Sequence, residues 1–147
     1  MIPKYDTQGN LPPGQHLASW EEIEEHYAYN AHRRKLLAGL KAALDNLRAA
    51  GCKRVYLNGS FITNKVEPGD YDLCWEPKGV DRNALDPLFS LAIHVLPPRT
   101  GQKKKYFGEI VLTVPNPSVF DHLSYYQLDD RTGDVKGIIA LNLDGPP

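Results

Sequence analysis

The sequence predicts a mixed α/β (α+β) fold: a mixed sheet of about four strands packed against a long N-terminal helix and two shorter helices. Two observations predict it. A stripe of leucines at three- and four-residue spacing follows a serine helix cap, and the short β-branched and aromatic runs KRVYLNGS, DYDLCW, YFGEIVLTV and KGIIALNL come after it, separated by turn residues. A chain of 147 residues, 41% hydrophobic and 24% charged, is globular in composition and suits one domain over 1–147. A formal net charge of −1 excludes general DNA binding, so any polyanion must be gripped locally.

Residues 1–18, with GNLPPGQH at their centre, are rich in Pro, Gly and polar residues and should run as an extended N-terminal arm over the surface. Their opening has no charged start followed by an apolar run, so no secretory signal is expected. At Ser19 the pattern SWEE places a cap with a glutamate three residues on, and a long helix begins. Leu36, Leu37, Leu40, Leu44 and Leu47 stripe its second half, Gly51 ends it, and Asn30 is a point at which it can divide in two.

A strand through KRVYLNGS ends at Gly59, and DYDLCW forms a second. Asp81 can cap a short helix through NALDPLFSLAIHV, with Pro87 acceptable only in a first turn, so that the start shifts to Leu85 or Asp86. PPRTGQKKK reads as a loop, YFGEIVLTV as a strand, PNPSVFDHLSYYQ as a short helix from Ser118, and KGIIALNL as the last strand. The longest apolar run, Leu88 to Leu96, is about half a membrane span, so no membrane contact is expected and the cytoplasm is the expected location. Cys52 and Cys74 are too few for a disulfide framework and read as core thiols of a reduced compartment.

The chemistry-bearing unit is NGSFITNKVEPGDYDLCW: a strand, Gly59-Ser60, a nine-residue loop, then Asp70 and Asp72 on the next strand. Strand alternation turns Asp70, Asp72 and Cys74 one way and Tyr71, Leu73 and Trp75 the other. The two aspartate Cα atoms then lie about 6.5 Å apart, and paired charges that close call for a cation between them. Glycine lets backbone approach a ligand and Ser60 adds a hydroxyl, a combination that holds phosphate oxygens. Paired carboxylates beside such a turn suit Mg²⁺ carrying a nucleoside triphosphate. The plainer alternative is an ordinary turn followed by the solvated face of an edge strand.

NGSFITNKVEPGDYDLCW resembles the signature of the DNA polymerase β type nucleotidyltransferase superfamily. The resemblance implies a minimal nucleotidyltransferase fold, Ser60 on the triphosphate, Asp70 and Asp72 on the metals, and a third carboxylate from a later strand. FITNK stands here in place of the arginine-and-glycine pattern common in that superfamily; Thr63 and Lys65 are its candidates for nucleotide contact, Lys65 alternatively being a solvated loop lysine. GNLPPGQHLASWEEI, YLNGSFITNKVEPGDYDLCW and KGIIALNL together resemble a little-characterised family of small bacterial nucleotidyltransferase-like proteins, some encoded in toxin–antitoxin-like gene pairs.

Glu109 is the candidate third carboxylate, because alternation in YFGEIVLTV puts it on one face with Phe107 and Val111, where a charge needs compensation. Asp121 is its rival. Lys103, Lys104 and Lys105 form a cationic run, read either as an RNA or nucleotide contact or as a solvated loop. His16, His26, His32, His94 and His122 receive no catalytic role, and Tyr125 and Tyr126 serve packing or base stacking. The expected activity is Mg²⁺-dependent transfer of NMP from an NTP to an acceptor hydroxyl on protein, RNA or a small molecule. The alternative is a non-catalytic binding module of the same fold, such as one member of a toxin–antitoxin pair.

Overall fold

The computed structural model describes residues 1–89, 96–113, 127 and 133–143. Within them lie a five-stranded mixed sheet and three α-helices. The strands are β1 (Gln15–Leu17), β2 (Arg54–Asn58), β3 (Tyr71–Trp75), β4 (Gly108–Leu112) and β5 (Ile138–Asn142), ordered β1-β5-β2-β3-β4. β2 runs antiparallel to both β3 and β5, whereas the β3–β4 and β1–β5 pairs are parallel.

The fifth strand corrects the expectation of four, and it comes from the N-terminal arm. That arm does not merely cross the surface. Gln15–Leu17 pairs with β5, Leu11 is 1% exposed, and the Asn64 amide donates to Gly9 O at 3.0 Å. The Pro- and Gly-rich composition hid a strand that exists only because β5 offers it an edge.

Helices α1 (Trp20–Tyr27) and α2 (Ala31–Ala49) are separate, so the chain takes the division at Asn30. Ser19 accepts from the Glu22 amide at 3.1 Å while Glu22 reaches back to the Ser19 amide, and Asn30 Oδ1 caps α2 by accepting from Arg33 N at 2.7 Å. The leucine stripe of α2 is buried throughout. Gly51, at φ +94°, closes the helix, and the Cys52 amide folds back to Leu47 O.

The third helix corrects a further expectation. PPRTGQKKK is not a loop: α3 spans Leu96–Tyr106, which puts Pro97 and Pro98 in its first turn, where a missing N–H costs no helical bond. In the preceding segment only a 3₁₀ turn at Pro87–Phe89 is described, with Asp86 Oδ1 accepting from Leu88 N at 3.0 Å; Asp81 caps a turn at Asn83 instead of a helix. The rest of the helix expected through His94 lies outside the described residues. So does the helix expected from Ser118, with Asp121, His122, Tyr125 and Tyr126.

One face of the sheet packs Val55, Leu57, Tyr71, Leu73, Trp75, Ile110 and Ile139 with the helix stripe into the main core. The opposite face carries a second buried cluster of Tyr56, Cys74, Val111, Ile138 and Ala140. Cys52 and Cys74 are both buried free thiols. Among the described residues no helix is long and apolar enough to cross a membrane.

Candidate active site

The second face of the sheet is apolar over most of its area and becomes acidic at the start of β3. Register puts Asp72 opposite Asn58 on β2 and opposite Glu109 on β4, so the three side chains share one face. Asp70 lies two residues before Asp72, at the mouth of the strand. The structure therefore brings Asp70, Asp72 and Glu109 together, with Gly59 and Ser60 on the other side of Asp72. Phe107 does not join Glu109 in alternation: β4 begins one residue later, and Phe107 turns at φ +63° against the main core.

The turn after β2 is shaped around the aspartate. Gly59 adopts φ +83°, which favours glycine, and a Cβ there would lie 2.1 Å from Asp72 Oδ2. Ser60–Ile62 then forms a 3₁₀ turn. The Thr63 hydroxyl donates to Ser60 O at 2.7 Å and accepts from the Lys65 amide at 3.2 Å, so it builds the loop. Lys65 is exposed, and its charge reaches Asp70.

Arg33 holds that loop from beneath, a role that was not read from the sequence. Its guanidinium is fully buried and donates to Phe61 O at 2.7 Å, Thr63 O at 3.1 Å and Lys65 O at 2.5 Å. It lies between the rings of Tyr29 and Phe61, 4.8 and 5.0 Å from their centres. Neighbouring α2 residues add to the grip: Asn30 Nδ2 donates to Val66 O at 2.8 Å, and His32 Nε2 lies 2.5 Å from Pro68 O. The signal was present, because Arg33 stands three residues before Leu36 and four before Leu37 and so extends the buried stripe.

On the far side, Gln102 ties α3 to the edge strand. Its amide donates to Ile110 O at 2.8 Å and Leu88 O at 2.7 Å, and its oxygen accepts from Ile110 N at 2.9 Å. This clasp blocks the β4 edge and sets the next residue, Lys103, beside the acids. Lys103 Nζ is 3.4 Å from Asp70 Oδ2 and 3.4 Å from Glu109 Oε1. The chain itself thus supplies a cation to Asp70 and Glu109, but not to Asp72, on which only the more distant charge of Lys136 acts. The cationic run is not a solvated loop: it lies on α3, and at its other end Lys105 pairs with Asp86 at 2.7 Å.

The electrostatics follow from this crowding. Burial, then the Asp70 and Glu109 charges and a hydrogen bond with Glu109, push the Asp72 carboxyl up to about 8, which favours its protonated form at neutral pH. Burial also raises Asp70, with Lys103 opposing. Lys103 loses hydration, but the two carboxylates outweigh that and hold its ammonium above the ordinary lysine value. Asn58 Oδ1 is buried on the same face without a hydrogen-bond partner among the described residues.

Among the described residues no group of three or more His, Cys, Asp and Glu side chains stands at metal-holding spacing, and Lys103 lies between two of the acids. The donor set nevertheless suits a hard divalent cation: all-oxygen side chains, one of them raised by burial and by its acidic neighbours, and an orphaned amide oxygen beside them.

Fold and site together define a mixed α+β protein with a carboxylate cluster at one end of its sheet, fronted by a Gly-Ser turn. The chain belongs to the family of unknown function DUF6932, which it matches over residues 3–142. No curated protein and no solved structure matches it.

Proposed function

We propose that the chain is a nucleotidyltransferase of the DNA polymerase β type that transfers NMP from an NTP to an acceptor hydroxyl. The observation that carries this reading is the placing of Asp72: Asp70 two residues before it, Glu109 its register partner, and the Gly59 backbone against its Oδ2. Ser60 then faces the triphosphate with a hydroxyl that has no partner among the described residues, and the exposed Lys65 adds a point charge.

Asp70, Asp72 and Glu109 would hold Mg²⁺, which when bound neutralises charge on the triphosphate. The acceptor oxygen forms a bond to the α-phosphorus, and the bond from that phosphorus to the bridging oxygen of the β-phosphate breaks, releasing pyrophosphate. The hydroxyl proton passes to a carboxylate, for which Glu109 is best placed, being the acid at the outer edge of the sheet. Arg33 acts at a distance as a positioning residue, by keeping the loop from Phe61 to Lys65 in one shape.

One observation favours a second reading, a non-catalytic module acting by contact, for example in a toxin–antitoxin pair. Lys103 already compensates two of the acids, as a site no longer serving a metal would require. Incubation of the protein with labelled NTPs, Mg²⁺ and cell lysate separates the two. Covalent label transfer that Asp72→Asn abolishes supports the enzyme; no transfer, with tight capture of a partner, supports the module.

A further inference from the structure

Lys103 is held loosely for an ammonium between two acids. Both of its contacts are 3.4 Å, longer than charge-assisted hydrogen bonds, and its side chain is 51% exposed. Beside it opens a cleft of about 330 Å³ whose walls include His32, Lys35, Gly69, Asp70, Lys103 and Phe107. Lys35 has no carboxylate partner among the described residues; its ammonium rests 4.9 Å from the centre of the Phe107 ring. His32 is engaged by Pro68 O, which fixes that wall.

The cleft, enclosed by α2, α3 and the approach to β3, is distinct from the Gly59–Ser60 turn. β3 separates β2, which carries the turn, from β4 and α3, which carry Glu109 and Lys103, and neither Gly59 nor Ser60 lines the cleft. If the triphosphate occupies the turn, the cleft is left for the acceptor.

We propose that Lys103 is a displaceable counter-ion: a divalent cation taking its place among the carboxylates frees its ammonium to join Lys35 in binding a phosphate group carried by the acceptor. This rests on the nucleotidyltransferase reading and adds to it the chemical class of the second substrate. A dication ligated directly by carboxylate oxygens outcompetes an ammonium held at 3.4 Å. Lys103 released next to Lys35 turns a wall with one uncompensated cation into one with two. Metal and anion then bind cooperatively, each removing what opposed the other.

Calorimetric titrations test this without turnover. Mg²⁺ is expected to bind Lys103→Gln at least fivefold more tightly than the wild type, because its competitor is gone. Inorganic phosphate is expected to bind the wild type at least fivefold more tightly with Mg²⁺ than in EDTA, and both Lys103→Gln and Lys35→Gln should lose that gain. Ribose 5-phosphate and a short 5′-phosphorylated RNA then tell a small-molecule acceptor from a nucleic-acid end. Unchanged Mg²⁺ affinity in Lys103→Gln, or phosphate affinity indifferent to Mg²⁺, overturns the counter-ion role. If Asp70→Asn abolishes Mg²⁺ binding in the same series, the nucleotidyltransferase reading survives that failure; if Asp70→Asn binds Mg²⁺ as the wild type does, both fall.

Discussion

A Cβ on Gly59 would lie 2.1 Å from Asp72 Oδ2, so the turn and the carboxylate share one space. Gly59→Ala must therefore move the aspartate or the turn, and it also strains a φ of +83°. The expected cost is about 1–3 kcal/mol in urea unfolding. Gly69→Ala, where nothing lies within 4 Å of the new carbon, should stay within about 0.5 kcal/mol of the wild type. Equal losses at both positions would break the link between turn and carboxylate.

The raised Asp72 carboxyl predicts the pH dependence of the metal-free fold. Its value rises from 3.8 to about 8, so between those limits the folded chain holds a proton that the unfolded chain has released. Stability contributed by this group is complete below about pH 4 and declines as pH rises through 8. In EDTA the melting temperature of Asp72→Asn should fall less than that of the wild type between pH 6 and 9. Parallel curves would show that Asp72 titrates normally.

Arg33→Lys keeps the charge but replaces a planar fork by a single ammonium, which cannot reach three carbonyls on different sides. Buried Phe61 O is left without its donor, and the loss should be at least about 2 kcal/mol. Because those carbonyls belong to the loop beside Ser60, nucleotide affinity should fall as well. Full stability in the lysine variant would mean that the loop holds its shape unaided.

Ser60→Ala should leave stability within about 0.5 kcal/mol of the wild type, since the hydroxyl supports nothing among the described residues. Loss of a hydrogen bond to a charged phosphate should weaken NTP binding by about 1.5–3 kcal/mol. Unchanged nucleotide affinity on titration would return NGSF to an ordinary turn.

Lys105 and Tyr106 hold the Asp86 carboxyl below its ordinary value, although burial alone would raise it. The depressed value means that its contribution to stability is present above about pH 4 and is lost as pH falls further. Asp86→Asn should therefore destabilise the fold at pH 7, and the gap to the wild type should narrow towards pH 3. A gap that stays constant on acidification would mean that the pair contributes no charge-dependent stability.

The alternation of DYDLCW determined which faces its residues take, and the spacing of Leu36 to Leu47 determined which side of α2 is buried, because both follow from local backbone geometry. Ser19 and Gly51 marked helix ends for the same reason: caps satisfy backbone groups within a few residues of themselves. What depended on distant partners was not legible. β1 exists because β5 offers it an edge, and α3 persists through Pro97, Pro98 and Gly101 where Gln102 clasps Ile110. Register, a property of two strands together, decided that Glu109 stands level with Asp72. Lys103, read from sequence as one of three equivalent lysines, was singled out only by the helix that carries it to Asp70 and Glu109, since an ion pair depends on separation in space and not along the chain.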